Sequence, residues 1–264
     1  MFEDLFGPED EFDEQVLAEI EVSAREERQI GRRLVEAYLT DLRRQGLAVT
    51  SRGREVNYLR QLVARLHPMM EQRRRYPTID IWFVDSERCD ARSFPGGHLV
   101  FFRGLLDAAD NEAALIGIVG HELSHLDRGH HTRRIRRFKL TERTFSGRGA
   151  LMPMEEFFAT GMVMMRAWMR PFRIEDERQA DLDGARWSYQ AGYDCREMAR
   201  LFLRLAQRGD LVDLPLPDFL RSHPPATQRH QAILQEYQRL QAEMPRNQLV
   251  IGQQNLRRRT VHPP

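Results

Sequence analysis

The chain has 264 residues, 41% of them hydrophobic and 30% charged, with a formal net charge of +1. That length is enough for a full core, and the composition is that of a globular protein rather than a disordered one. The near-neutral balance gives no whole-chain field for nucleic acid, and the longest apolar runs, such as 113–120, are too short to span a bilayer.

Residues 1–22 are strongly acidic (Glu3, Asp4, Glu9, Asp10, Glu11, Asp13, Glu14, Glu19, Glu21) and read as a solvated arm. No basic segment followed by an apolar stretch opens the chain, so as given it reads as cytoplasmic; a trimmed signal would place it in the cell envelope or periplasm. Apolar residues at helical spacing predict helices over 24–48 (Ile30, Leu34, Ala37, Tyr38) and 55–75 (Leu59, Leu62, Val63, Leu66). Residues 79–84 are rich in strand formers, and the turn Pro95-Gly96-Gly97 leads into a second strand, His98–Phe102. Asp110 and Asn111 are caps for the next helix. The basic run 133–148 reads as a solvated face. Residues 151–169 hold six of the eleven methionines, as a helical core stripe or a pliable peptide groove. Further helices are expected over 174–190 and about 226–243, followed by an Arg-rich tail over 245–264. Cys89 and Cys195 lack the spacing of a thiolate metal site and fit either one disulfide or two free thiols.

The chemistry concentrates in NEAALIGIVGHELSHLDRGHH, whose heart is HELSH at 121–125. On a helix, residues four apart share a face about 6 Å along the axis, so His121 and His125 can reach one ion. Zinc suits neutral imidazole, and two histidines leave its coordination incomplete. Glu122 stands beside the metal, placed to deprotonate a bound water. The apolar helix 113–120 would make unpartnered buried His and Glu expensive. Two third ligands compete. His131 has the right distance from His125, but the glycine that this pattern requires at 128 is Arg128. Glu177 shares a helix face with Asp181 and Gly184; it could close a His₂Glu site, with Asp181 orienting an imidazole and Gly184 allowing close helix approach.

The blocks FPGGHLVFFRGLL (94–106), NEAALIGIVGHELSHLDRGH (111–130), ERQADLDGARWSYQAGY (177–193) and SHPPATQRHQAI (222–233) occur jointly and in order. Over roughly residues 24–240 the chain resembles the soluble members of the zinc metallopeptidase family typified by HtpX and the CAAX prenyl endopeptidase. The resemblance implies that His121, His125 and Glu177 hold one zinc per chain. It also implies that Glu122 is the general base, that Asp181 supports a ligand, and that His223 lies beside the active site. His223 would be an oxyanion donor or a fourth zinc ligand, with Arg229 anchoring its loop or sharing the donor role. Cys89-Asp90-Ala91-Arg92 departs from the family, which often has an asparagine there for substrate backbone.

The expected fold is α+β and mostly helical, a zincin-like domain over 23–244 with a small mixed sheet beside the HELSH helix. The expected activity is zinc-dependent endopeptidase cleavage of unfolded or flexible protein segments. Substrate would add as a strand along Gly96, Gly97, His98, Leu99 and Val100, at the cleft edge. The partners are protein or peptide substrates, without nucleic acid, and with peripheral membrane contact at most. A zinc-stabilised peptide-binding holdase is the competing class; it would dispense with Glu122, which is present.

Overall fold

The computed structural model describes residues 14–146, 168–212 and 225–263. His223 and residues 151–167 of the Met-rich stretch lie outside the described residues. Ten α-helices and four strands are found among the described residues: α1 (Glu14–Ala18), α2 (Ala24–Arg44), β1 (Ala48–Thr50), α3 (Arg54–Leu66), β2 (Asp80–Asp85), β3 (Ala91–Phe94), β4 (His98–Phe102), α4 (Arg103–Ala108), α5 (Glu112–Asp127), α6 (His130–Ser146), α7 (Ile174–Gln190), α8 (Arg196–Val212), α9 (Ala226–Glu243) and α10 (Gln253–Arg258). The fold is mostly helical with a small mixed sheet, as the sequence pattern implies.

The helix boundaries follow local chemistry. Ser23 caps α2 by accepting from the Glu26 backbone N–H at 3.1 Å. The helix stops at Arg44 instead of 48, because Gly46 at φ 82° turns the chain into β1. The expected helix over 55–75 ends at Leu66, and Pro68 sits in a 3₁₀ turn, His67–Met69. Beyond it, Arg75 and Tyr76 are drawn to the fully buried Glu27, at 2.6 and 2.8 Å.

The sheet order is β1-β2-β4-β3, with β2 and β4 parallel and the outer pairs antiparallel. The expectation for β4 is therefore corrected. It pairs on both sides, so Gly96, Gly97, His98, Leu99 and Val100 do not form a free edge. Leu99 and Phe101 pack in the cluster that holds α3 and α5, while Val100 and Phe102 pack in the cluster that holds α2. Burial on both faces explains the unbroken apolar run of β4. Gly96 and Gly97, at φ 76° and 91°, form the tight turn, and a Cβ on Gly96 would lie 2.5 Å from the Arg28 Cα. The edge beside the HELSH helix belongs to β3.

The chain ends also differ from expectation. From Glu14 onward the acidic segment is packed, with Leu17, Ile20 and Val22 buried. The basic run on α6 holds it: Arg136 donates to the Ile20 carbonyl and Lys139 to the Glu21 carbonyl, each at 2.9 Å, and Arg133 pairs with Glu14 at 3.4 Å. The part of that run up to Lys139 makes internal contacts rather than a solvated face. The Arg-rich tail contains α10, whose Leu256 is buried. Cys89 and Cys195 do not form a disulfide. No helix among the described residues is long and apolar enough to cross a membrane.

Candidate metal centre

Two helices build the site. In α5 every residue is buried, which matches its apolar character all round. Asn111 caps it, accepting from the Ala114 N–H at 2.9 Å, while Asp110 pairs with Arg204 at 2.9 Å. α7 crosses α5 at a glycine contact. A Cβ on Gly184 would lie 2.6 Å from the Gly117 carbonyl oxygen and 2.9 Å from the His121 nitrogen; one on Gly120 would lie 2.8 Å from the Gly184 Cα. The backbones therefore touch. Gly184 was readable as a close-approach residue; Gly117 and Gly120, its partners three residues apart on α5, were the missed half of the same signal.

This contact brings three ligand-type side chains together. The Nε2 atoms of His121 and His125 are 3.1 Å apart. Glu177 places Oε2 3.4 Å from His121 Nε2 and Oε1 3.8 Å from His125 Nε2. Ligands bound tetrahedrally at 2.0–2.1 Å from an ion are themselves about 3.3 Å apart, so the spacing fits one metal. A second observation agrees: Oε2 of Glu177 is buried and has no hydrogen-bond partner among the described residues. An acceptor left this way is costly unless a cation completes it. The donor set, two imidazoles and one carboxylate, suits zinc. His121, His125 and Glu177 are the metal-competent cluster among the described residues.

His131 is turned elsewhere. Its Nε2 meets Ser93 Oγ at 3.1 Å, and its ring stacks on Trp168. Asp181 lies where the sequence spacing put it, with Oδ1 3.0 Å from His121 Nδ1. Arg229 grips the same carboxylate from α9 through Nε and Nη2, both at 2.6 Å, and lies over the Phe202 ring. Arg229 thus joins Asp181 in supporting the metal ligands, the place the sequence reading gave it beside its loop-anchoring role.

The charges reinforce one another. Burial opposes charge on His121, but the hydrogen bond to Asp181 and the nearby carboxylate of Glu177 outweigh it and push its pKa up to about 10. Burial likewise opposes charge on Asp181, yet Arg229 and His121 hold its carboxyl below the usual range. Burial, with His121, His130, His131 and Arg134 nearby, keeps His125 neutral by moving its pKa well down. Burial pushes Glu122 up. The carboxylates on α7 thus demand positive charge at His121, as a proton or a metal.

A cleft of about 40 Å³ lies over these atoms, lined by Ser93, Glu122, Arg134, Trp168 and Phe172 among others. Phe172 stacks on the His125 ring with centroids 4.1 Å apart. Arg134, set against the Phe172 ring at 4.2 Å, donates to the carbonyls of Trp168 and Pro171. Sequence reasoning did not single out Ser93, Phe172 or His130. Only their positions, near the PGG turn, just before α7 and five residues after His125, hinted at them.

With this geometry in place, the comparison with known families is decisive. A family model described as peptidase family M48 matches residues 54–237. The chain belongs to that family. It is a metalloprotease, as two-helix placement of the His, His and Glu ligand types would require. Among curated proteins it is similar to the β-barrel assembly-enhancing protease of Yersinia pestis, 26% identical over 152 residues, and to that of Escherichia coli strain K12, 24% identical over 152 residues. A putative β-barrel assembly-enhancing protease of Vibrio cholerae is 25% identical over 154 residues. Each match covers 54% of this chain and 31% of the relative, so the chain aligns with about a third of the proteins it resembles.

Proposed function

We propose that this M48 peptidase is a zinc-dependent endopeptidase that cuts unfolded or flexible protein segments. The observation that carries the reading is the convergence of His121, His125 and the otherwise unpartnered Oε2 of Glu177, with Glu122 one residue from His121. Zinc bound there supplies a Lewis acid that polarises the scissile carbonyl and lowers the pKa of water. The chain's own residues do the rest. Glu122 accepts the proton of the attacking water and returns it to the leaving amine. Its buried position raises its basicity. Asp181, clamped by Arg229, accepts from His121 Nδ1–H and so aims Nε2 at the metal position.

Substrate alignment falls to β3 in this reading. The Phe102 N–H donates to the Asp90 carbonyl at 3.0 Å. Antiparallel alternation then directs the bonds of Asp90, Arg92 and Phe94 toward β4, and those of Ala91 and Ser93 away from it. Asp90 Oδ1 already takes the Ala91 N–H at 3.1 Å. The carbonyls of Ala91 and Ser93 and the Ser93 N–H remain for an extended peptide. Main-chain pairing of this kind requires an unfolded segment and tolerates varied side chains. The role in β-barrel assembly that the relatives' name states supports the same substrate class. His223, outside the described residues, stays a candidate for the oxyanion donor or for a fourth ligand.

The test is metal analysis with casein cleavage, wild type against Glu122→Gln. The variant should keep its zinc and lose turnover; undiminished cleavage by the zinc-loaded variant would sink the assignment.

A further inference from the structure

We propose that His130 is a positioning residue for the metal centre: it accepts the Nδ1 hydrogen of His125 and so fixes the tautomer and the ring plane of that ligand. The inference rests on the reading that His125 binds metal through Nε2, but it concerns the opposite edge of the ring.

The two Nδ1 atoms of His125 and His130 are 2.9 Å apart. At that distance one nitrogen must carry hydrogen and the other a lone pair. Nε2 of His125 faces Nε2 of His121 and Oε1 of Glu177, so it needs its lone pair for the ion, and the hydrogen sits on Nδ1. His130 must then accept at Nδ1 and carry its own hydrogen on Nε2. That atom is 3.2 Å from Oε1 of Gln179, an acceptor. The tautomers form one consistent chain, from His125 through His130 to Gln179. Asp176 Oδ1 lies farther from His130 Nε2, at 3.7 Å, and already accepts from Arg133 and Arg173.

The backbone is shaped for this contact. α5 ends at Asp127, whose carboxylate accepts from the N–H groups of Glu71 and Gln72 at 3.0 and 2.6 Å. Gly129, at φ 72°, reverses the chain within one residue, and α6 starts at His130. A residue five after His125 would point elsewhere on a continuing helix; the glycine turn brings it back beside the ligand. His130 is buried, and its ring lies 5.8 Å from that of Phe172.

The two histidine ligands are thus supported differently, though both supports end on α7. His121 donates to a carboxylate clamped by arginine. His125 donates to a neutral imidazole, which gives it orientation without adding negative charge.

The test uses the full chain, with ¹⁵N labelling of histidine rings. In wild type, with and without zinc, His125 should be protonated on Nδ1, and a scalar coupling between the two Nδ1 atoms should be seen across the hydrogen bond. Protonation of His125 on Nε2 in metal-free protein, or ligation through Nδ1, would overturn the proposal without any mutant. Zinc affinity, measured by competition with a chromophoric chelator, supplies the second readout. His130→Phe keeps bulk but loses the acceptor, and should weaken zinc binding about 10–100-fold. His130→Asn keeps an acceptor at the δ position and should stay within a few-fold of wild type. Wild-type affinity in a folded His130→Phe variant, or equal losses in both variants, would refute the role. His125→Ala tests the underlying reading separately: if it holds zinc as tightly as wild type, the ligand assignment itself fails.

Discussion

The two helices that meet at Gly184 reach the same site by opposite routes. α5 is buried on all sides and brings its chemistry as one contiguous motif. α7 keeps an exposed face, with Ile174 half in solvent, and brings Glu177 and Asp181 from within a charged stretch. α5 is expensive to bury without partners, and α7 supplies them: Asp181 for His121, Asp183 for Ser124 at 2.9 Å, and Gln179 for the His130 relay. Neither helix is stable in this arrangement without the other's polar groups. The metal centre is therefore a property of the crossing, not of the motif.

The largest expected effect would show whether the helices are equal partners. Glu177→Ala on α7 should remove zinc and activity as completely as His125→Ala on α5, with a lower melting temperature in each. Zinc analysis and thermal melts check it, and full metal retention in Glu177→Ala would make α5 the sole holder. Next comes Glu122→Gln, which should separate chemistry from assembly. Turnover should fall by about 10²–10⁴ while zinc content and melting temperature stay at wild-type values.

Gly184→Val attacks the contact between the helices. Its Cβ would meet backbone at 2.6 and 2.9 Å, and backbone cannot swing aside. A loss of about 1–3 kcal/mol or more is expected, together with weaker zinc binding, read by denaturant titration in the presence and absence of chelator. Unchanged stability would mean that the helices do not touch as described.

The smallest effect concerns pH. Asp181 is held below its ordinary pKa, so its folded form binds protons less readily than its unfolded form. The pair with Arg229 is fully stabilising above the ordinary carboxylate value of about 3.9 and is lost as pH falls through the lower folded value. In metal-free protein, Asp181→Asn should therefore be less stable than wild type by a margin that is fullest between about pH 4 and 6.5, above the ordinary carboxylate value and below that of His121, whose raised pKa depends on the same contact. That margin should shrink below about pH 4 in acid unfolding curves; a pH-independent margin would assign the loss to packing alone.

Legibility in the sequence divides along similar lines. His121, Glu122 and His125 could be read from spacing because a helix has one period and α5 keeps it. Glu177 and Asp181 became readable only once α5 demanded a third ligand. The edge of the sheet was misassigned for an opposite reason, although both expected strands are present. β4 announces itself with His98-Leu99-Val100-Phe101-Phe102, but that unbroken apolar run is the mark of a strand covered on both faces. The edge, Ala91-Arg92-Ser93-Phe94, carries no strong strand signal, because a segment left open to a partner need not be apolar. The basic run on α6 was misread as solvated because Arg136 and Lys139 meet the backbone carbonyls of Ile20 and Glu21, and a carbonyl has no letter in the sequence. His130 was missed because its position depends on the φ of Gly129, a backbone angle that spacing alone does not reveal.

The first turn of α5 holds one more arrangement. Glu112 is fully buried and accepts from Tyr58 and Tyr193 hydroxyls at 2.9 and 2.8 Å, and from the His262 N–H at 2.9 Å. Its own N–H donates to the Gly252 carbonyl at 3.2 Å. The amide hydrogen of His262 thus exchanges with solvent only when this carboxylate lets go. In hydrogen–deuterium exchange its protection should rise and fall with that of α5 rather than with that of a fraying terminus. One amide near residue 262 becomes a clock for the opening of the helix that carries the catalytic motif.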